Sequence, residues 1–315
     1  MVAGLGSLLA AGALAQAAWP TQPITMVIPF PPGGPTDLVA RVLAQQLTLQ
    51  LGQPVNVDNR AGANGNLGGG IVAKAAADGY TLLYNTSSIA LSPALYKSLS
   101  YEVLRDLAPV TTTAVVPLAL VVHPSVPANN LAEFVAYAKA RPGKLSYGSA
   151  GNGNVTHLGA FQLVQAHGID AVHVPYRGSA PADVDLVAGQ IQFMTDTVNS
   201  VMGFVRDKRL KMLAVTTAKR MAQFPDVPTA AEQGMAGFEV GAWQGVMVPA
   251  KTPRAVVDRL SAEINKALQN PAVLAKLVLQ GAEPLGSTPD EYAAYLRSEL
   301  ARWARVVKQT GVTLE

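Results

Sequence analysis

The chain has 315 residues, 49% hydrophobic and 14% charged, so it can bury a large core and is not typical of a disordered protein. Its net charge is +3, and its 24 lysines and arginines are scattered without a long basic run, which argues against nucleic-acid binding. Cysteine is absent, which excludes disulfides, thiolate metal sites and cysteine nucleophiles.

The N-terminal segment 1–18 is apolar and rich in small residues, and "AQA" at 15–17 fits the cleavage rule of a secretory signal peptide. We expect cleavage near Ala17 or Ala18 and an exported protein, although the usual basic residues before the apolar part are missing. An apolar N-terminal helix of the fold is the alternative, but the Gly-Ala run shows little helical periodicity. No other stretch approaches the ~20 apolar residues of a membrane span.

Strand-like apolar runs alternate with amphipathic helical runs in the first part of the chain. This alternation, with short connections, predicts a parallel sheet covered by helices on both faces. The predicted elements are a strand at 24–30, a helix at 36–51, a strand at 54–60, a helix ending at Gly79, and a strand at 81–86.

The pattern restarts after about residue 123, following one or two strands at 106–124. The restart favours two α/β lobes joined by two crossover segments, with a single doubly wound sheet as the alternative. We expect lobe 1 to comprise 19–120 and about 243–315, with C-terminal helices packing across both lobes, and lobe 2 to comprise 121–242. The later predicted elements are helices at 130–144, 155–168, 180–190, 253–269, 271–280 and 289–309, and strands at 145–151, 171–176, 191–197, 210–217 and 243–250.

Patterns of known catalytic and cofactor sites are absent or incomplete. The four histidines form no HExxH and no pair at helical spacing. "YGSAG" lacks the first glycine of a hydrolase elbow, and there is no Walker A sequence. "GNGNVT" at 151–156 matches the dinucleotide fingerprint weakly, because Asp170 opens the next strand instead of closing it. We therefore predict no catalytic residue, no metal and no cofactor.

Six loops rich in Gly, Asn, Ser and Thr follow the predicted strands. In parallel sheets such loops meet at the carboxyl ends of the strands, where ligands bind. Loops one and four also open helices, whose unpaired N–H groups attract anions. In order, the loops are "PFPPGGPTD" (29–37), "NRAGANGN" (59–66), "NTSS" (85–88), "SAGNGN" (149–154), "YRGSAP" (176–181) and "TDTVNS" (195–200).

Several stretches, including "ITMVIPFPPGGPTDLVARVLAQQL", "VDNRAGANGNLGGG" and "VPYRGSAPADVDLVAGQIQFMTDT", resemble the tripartite tricarboxylate transporter receptors, or Bug family. The resemblance covers essentially the whole chain after the signal peptide. It implies a periplasmic solute-binding protein with a two-lobed, type II-like Venus-flytrap fold, which is a monomer and not an enzyme. Such proteins deliver a small mono-, di- or tricarboxylate, aromatic acid or amino acid to a membrane permease, or in some cases to a sensor.

The resemblance also implies which residues hold the ligand. In loop one they are Phe30, Pro32, Gly33, Gly34, Thr36 and Asp37, and near loop four they are Ser149, Ala150, Gly151, Asn152, Thr156 and His157. The other loops add Asn64, Ser87, Tyr176, Arg177 and Asp196.

Three of these residues keep two interpretations each. Asp37 either caps its helix or orients a ligand water or ammonium group. Asp196 either binds an amine, a hydroxyl or a lobe-spanning partner, or is a hinge or cap residue. Arg177 either faces a second ligand carboxylate or lies exposed. For the function, a sensing partner of a membrane histidine kinase, or a periplasmic enzyme using the same cleft, are the alternatives to transport.

Overall fold

The structure is a computed structural model that describes residues 19–238, 240–311 and 314. The predicted signal peptide at 1–18 lies outside the described residues. The strands are β1 (Ile24–Ile28), β2 (Val55–Asn59), β3 (Thr81–Thr86), β4 (Leu107–Val122), β5 (Leu145–Ser149), β6 (Ala171–Pro175), β7 (Phe193–Thr197), β8 (Lys211–Val215), β9 (Gly241–Pro249) and β10 (Glu283–Pro284). The helices are α1 (Pro35–Leu51), α2 (Asn66–Ala73), α3 (Ser88–Leu95), α4 (Val103–Asp106), α5 (Leu131–Lys139), α6 (Val155–His167), α7 (Ser179–Val187), α8 (Val198–Arg206), α9 (Arg254–Leu268), α10 (Pro271–Leu279) and α11 (Pro289–Thr310).

Two sets of parallel strands are joined through two long antiparallel strands. β1 lies between β2 and β3, and β5 lies between β6 and β7. β4 pairs with β9 as far as the Pro117–Gly241 pair, and with β7 and β8 from Leu118 onwards. The strand order is β2-β1-β3-β9-β4-β7-β5-β6, with β8 and β10 also pairing with β4. The predicted two-lobed α/β fold with two crossover segments is confirmed.

Local signals explain where the longest helices begin. α1 starts with Pro35, at a position where the missing N–H costs no hydrogen bond, and it ends before Gly52, whose φ is 69°. α11 starts with a capping box, in which Thr288 and Glu291 each accept the other's backbone N–H.

Parts of the secondary structure differ from the prediction. α2 ends at Ala73 instead of Gly79, because the next two N–H groups bond to carbonyls three residues back. The segment 106–124, where one or two strands are predicted, holds one strand, β4, which runs through both lobes. α3 and α8 were not predicted. α3 contains Pro93 and is buried on nearly every side, so it lacks an apolar–polar period, and α8 begins inside loop six.

The C-terminal helix α11 contacts α3 and β4 as well as α6. Its inner face carries Tyr292, Leu296 and Trp303, all exposed by 1% or less. Among the described residues, no helix combines the length and the hydrophobicity needed to cross a bilayer.

Candidate functional site

Loop one is held in place by the buried carboxylate of Asp37. Gly34 is the N-cap of α1 and has no side chain with which to cap the helix. The helix begins at Pro35, which makes Asp37 its third residue. Its carboxylate accepts hydrogen bonds from the Gly33 N–H at 2.9 Å, Arg41 Nε at 2.8 Å and Asn59 Nδ2 at 2.9 Å. The interpretation of Asp37 as the N-cap is therefore wrong, because it holds the loop from inside the first turn.

The same contacts keep Asp37 ionised. Burial raises the pKa of its carboxyl, but the hydrogen bonds from Arg41, Gly33 and Asn59, together with the Arg41 charge, outweigh burial and lower the pKa. Asn59 Nδ2 also donates to the Phe30 carbonyl at 3.0 Å. Both ends of loop one are thus tied to one buried charge, so the loop is shaped before any ligand arrives.

Two glycines of α2 let that helix approach its neighbours closely. A Cβ at Gly68 would lie 2.7 Å from the Cβ of Pro29, and one at Gly69 would lie 2.5 Å from the Tyr101 hydroxyl. Both distances are shorter than packed carbon atoms allow, so only glycine fits at these positions. The "GGG" run therefore seats α2 directly behind loop one.

A small recess lies between loops one, two and three. Its wall includes Phe30, Asn64, Asn66, Ser88 and Tyr101. Asn64 Oδ1 accepts from Ser88 Oγ at 3.2 Å, and Asn66 Oδ1 accepts from the Tyr101 hydroxyl at 3.3 Å. Within the described residues, both side-chain NH₂ groups are buried and neither makes a well-aligned hydrogen bond, although the Asn66 amide lies close enough to the Tyr96 hydroxyl to offset part of the rise in its pKa that burial causes. Buried donors normally have a partner, so these two amides mark a place for an acceptor that the chain does not supply.

Loop three connects the recess to the crossover strands. Ser87 is 2% exposed, and its N–H donates to the Trp243 carbonyl of β9 at 2.8 Å. The next residue, Ser88, lies on the recess wall, whereas Ser87 does not. Ser87 therefore ties the site to the crossover strand β9.

Loop four pairs several of its backbone N–H groups with side chains of the loop itself and of α6. The expected row of free donors is therefore occupied in this conformation, and Thr156 and His157 support the loop from below. The donor–acceptor pairs are Ala150 with Thr156 Oγ1 at 2.9 Å, Gly151 with Ser149 Oγ at 3.2 Å, and Gly153 with His157 Nδ1 at 3.1 Å.

Two stacked histidines lie under loop four. The rings of His157 and His173 are 3.8 Å apart and inclined by 4°, and Tyr147 stacks on His173 at 5.0 Å. Burial and, to a smaller extent, the neighbouring His173 ring together lower the pKa of His157 to about 3, and burial lowers the pKa of His173 to about 4. Both rings are therefore neutral near pH 7, so His157 Nδ1 can accept the Gly153 N–H and His173 Nε2 can bond to Ser149 Oγ at 2.7 Å.

Loop five runs beside loop four. The Tyr176 N–H donates to the Ser149 carbonyl at 3.0 Å, and the Tyr176 hydroxyl donates to Asp185 at 2.7 Å, towards α7. Arg177 is exposed. Its interaction with a second ligand carboxylate stays a prediction.

Asp196 lies at the end of β7 and is fully buried. It accepts hydrogen bonds from Ser179 Oγ at 2.8 Å and from the Thr197 N–H at 2.6 Å. These bonds lie at the starts of α7 and α8, but the N-caps of the two helices are Gly178 and Thr197, so both interpretations of Asp196 stay predictions.

A second buried acid, Asp183, lies against Asp196. Burial raises the pKa of Asp183, and the Asp196 charge raises it further, so Asp183 keeps its proton and donates it to Asp196. Ser200 Oγ donates to the other side of the Asp183 carboxyl. The pair joins α7, β7 and α8 beneath loops five and six.

The predicted residues lie in two groups, one on loops one to three and one around loop four, and of the first group only Phe30 and Asn64 line the recess. The groups approach where loop four meets α3, since a Cβ at Gly153 would lie 2.5 Å from Leu95 Cδ1. The buried members are Asp37, Ser87, Ser149, Thr156, His157 and Asp196, and the half-buried or exposed ones are Phe30, Pro32, Gly33, Gly34, Thr36, Asn64, Ala150, Gly151, Asn152, Tyr176 and Arg177.

Comparison with known proteins identifies the family. Residues 39–312 match the model of the tripartite tricarboxylate transporter family receptor. The chain belongs to the tripartite tricarboxylate transporter receptor family. The receptor is also 42% identical to Protein BugT of Bordetella pertussis over 301 residues, which cover 94% of this chain and 92% of that protein.

Solved structures of similar proteins have the same fold as the receptor. The periplasmic binding protein BugD is 36% identical, with 94% of this chain and 100% of that chain covered and a TM-score of 0.83. R. palustris Rpa4515, solved with adipate, is 36% identical over 94% of this chain and 99% of its own, with a TM-score of 0.86. MatC from Rhodopseudomonas palustris, with bound malate, is 34% identical over 92% and 100%, with a TM-score of 0.81. The receptor is therefore similar to periplasmic binding proteins, two of which were solved with a bound carboxylate.

Sequence reasoning missed three residues that shape the site: Asn66, His173 and Asp183. Asn66 stands in the same loop as Asn64, but only its position at the start of α2 places its amide in the recess. Asp183 resembles an ordinary surface charge of α7, and its burial follows from the packing of α7 against α8. The pattern of residues along β6 does not indicate that His173 stacks on a histidine from α6.

Proposed function

We propose that the receptor captures a small organic carboxylate between its lobes and delivers it to a tripartite tricarboxylate-type membrane permease. Adipate and malate, bound by two similar proteins, are both dicarboxylates, which favours a dicarboxylate among the possible ligands.

The observation that carries this proposal is the pair of unpartnered amide donors, Asn64 and Asn66, on the recess wall. A buried donor without an acceptor costs about 1–3 kcal/mol. A ligand oxygen accepting from each amide removes that cost. A carboxylate does so best, because hydrogen bonds to a charged acceptor are about twice as strong as neutral ones.

Loop one adds a positive electrostatic environment beside the recess. The first turn of α1 leaves N–H groups without intrahelical acceptors and carries the positive end of the helix dipole. The nearby carboxylate of Asp37 is neutralised by Arg41 at 2.8 Å, which limits its repulsion of an anion. The prolines and Asp37 keep the loop in shape, so little entropy is lost on binding.

The second lobe closes over the ligand in this proposal. Lobe 1 comprises 19–120 and about 243–315, lobe 2 comprises 121–242, and β4 and β9 form the hinge. Loop four and Arg177 then contact the distal part of the ligand, including a second carboxylate. The cleft holds its ligand without chemical change, so the receptor is not an enzyme.

The cellular setting of the proposal follows from the family and the N-terminal segment. The receptor is exported by a signal peptide at 1–18, works in the periplasm as a monomer, and meets the permease subunits there. We propose transport as its role over sensing.

A thermal-unfolding screen tests the proposal. We expect malate, adipate, citrate or an aromatic acid to raise the melting temperature, because a ligand at 100 times its Kd stabilises the folded protein by about 2.7 kcal/mol. The corresponding neutral amides should have no effect. Asn64→Ala and Asn66→Ala should abolish the shift, whereas Asn129→Ala, an exposed asparagine, should keep it. Equal stabilisation by neutral amides, or an unchanged shift in both recess variants, would contradict the proposal.

A further inference from the structure

A second and larger cavity lies at the hinge. Its volume is about 600 Å³, within the range of small-molecule sites. It is lined by the crossover strands around Pro117 and Gly241, by residues 216–220 after β8, and by β10 and α11. None of its described lining residues belongs to the six loops of the carboxylate site.

The walls of this hinge cavity come from different sides of the crossover. One wall continues from β8, where Thr216 Oγ1 lies within hydrogen-bonding distance of the carbonyls of Leu118 and Val240 on the crossover segments. The opposite wall includes Glu283 of β10, which pairs with Val115 of β4, and side chains of α11. A molecule that touches both walls therefore contacts segments from both sides of the crossover.

Two solvent-exposed side chains of opposite charge on these walls have no partner among the described residues. Within the described residues, Lys219 and Glu283 form neither an ion pair nor a side-chain hydrogen bond, whereas the neighbouring Arg220 is paired with Glu232 at 2.9 Å. Thr217 Oγ1 is buried on the Lys219 side and also has no partner there. The cavity thus offers a carboxylate on one wall, and an ammonium group with a hydroxyl on the other.

Aromatic rings form another part of the lining. Trp243, Tyr295 and Trp303 all reach the cavity, and the rings of Trp243 and Tyr295 meet edge-on at 5.4 Å. Glu299 accepts both indole N–H groups at 2.9 Å, which fixes the two tryptophans in place. The ring faces are apolar and attract ammonium groups.

We propose that this hinge cavity is a second ligand site, which binds a zwitterion with an apolar or aromatic side chain, the chemical class of neutral amino acids. The ligand ammonium group pairs with Glu283, and the ligand carboxylate pairs with Lys219 and the Thr217 hydroxyl. The side chain packs on the tryptophan and tyrosine rings.

Tryptophan fluorescence reports on this site directly. The chain has three tryptophans, and Trp243 and Trp303 both line the cavity, so a Trp19→Phe protein leaves only reporters at the hinge. We expect L-phenylalanine to produce a saturable change at millimolar concentration. L-phenylalaninamide and 3-phenylpropanoate, which each lack one of the two charges, should bind about tenfold more weakly.

Variants separate the hinge cavity from the carboxylate site. Glu283→Gln and Lys219→Met should each weaken phenylalanine binding about tenfold, with Lys144→Met, an exposed lysine elsewhere, as the matched control. Phenylalanine should still bind after Asn66→Asp, so the result stands whether or not the recess binds carboxylates. The absence of a saturable signal, or a signal abolished by Asn66→Asp but not by Glu283→Gln, would overturn the assignment.

Discussion

Acid should destabilise the receptor through its stacked histidines. Burial lowers the pKa of His157 to about 3 and that of His173 to about 4, from an ordinary value of 6.5. The unfolded chain therefore binds more protons than the folded chain between these values. The stability contributed by the neutral rings is complete above pH 6.5 and is lost as the pH falls towards the folded pKa values.

The size of the effect follows from these pKa values. At pH 4.5 an unfolded histidine is protonated, whereas the buried rings are still mostly neutral. Each pH unit below 6.5 lowers the free energy of unfolding by about 1.4 kcal/mol for one ring, so two units lower it by almost 3 kcal/mol. The pair should lower the free energy of unfolding by about 5 kcal/mol between pH 8 and pH 4.5, a large share of the ~5–15 kcal/mol typical of a folded protein.

Urea unfolding at pH 8, 6.5 and 4.5 measures this loss. The comparison protein carries His157→Asn and His173→Gln, because the Asn amide oxygen can replace Nδ1 as acceptor for Gly153, and Gln can replace Nε2 near Ser149. His123→Asn, outside the pair, is the matched control. We expect the double variant to lose about 5 kcal/mol less than the wild type on acidification, and the control to behave like the wild type. Equal losses in the double variant and the wild type would refute the reasoning.

Three further predictions concern single residues. Asp183→Asn should stabilise the protein against urea unfolding at pH 9 but not at pH 5. Burial and the Asp196 charge raise the pKa of Asp183, so the stability that its proton contributes is lost as the pH rises. The same pH dependence of stability in the variant and the wild type would contradict this. Gly68→Ala should push Pro29 aside, lowering both the melting temperature and the affinity for carboxylates, whereas Gly203→Ala, with nothing within 4 Å, should leave both intact or add up to ~1 kcal/mol; unchanged binding in Gly68→Ala would count against the role of α2. Asp37→Asn should weaken ligand binding about tenfold in calorimetry and lower stability by about 1–3 kcal/mol, and wild-type affinity in that variant would show that loop one does not depend on its buried charge.

The fold was largely readable from the sequence, because alternating apolar patterns and Gly- and Pro-rich loops mark the parallel strands and their helices. The elements that escaped prediction lack such marks. β4 was predicted only as one or two strands, because its prolines at 109 and 117 and its threonines at 111–113 interrupt the apolar run and do not show that one strand serves both lobes. α3 is buried on nearly all sides because it packs against α11 and also contacts α2, α4 and β3.

The candidate site was predictable as a set of loops but not as a set of contacts. The turn residues of loop one indicated its rigidity, whereas the carboxylate that anchors it needs Asn59, which is 22 positions away in sequence. The composition of loop four suggested free backbone donors. Its donors are instead paired with Ser149, Thr156 and His157, which depends on side-chain positions that sequence spacing does not give.

The most direct test of the proposed function is a calorimetric titration of a dicarboxylate into the wild type and Asn66→Asp at pH 7. The substitution keeps the size of the side chain and replaces the unpartnered NH₂ donor by an anion. We predict saturable one-to-one binding of malate or adipate to the wild type, and binding at least about a hundredfold weaker, or about 3 kcal/mol less favourable, in the folded variant. Equal affinities in the two proteins would contradict the assignment of the recess as the carboxylate site.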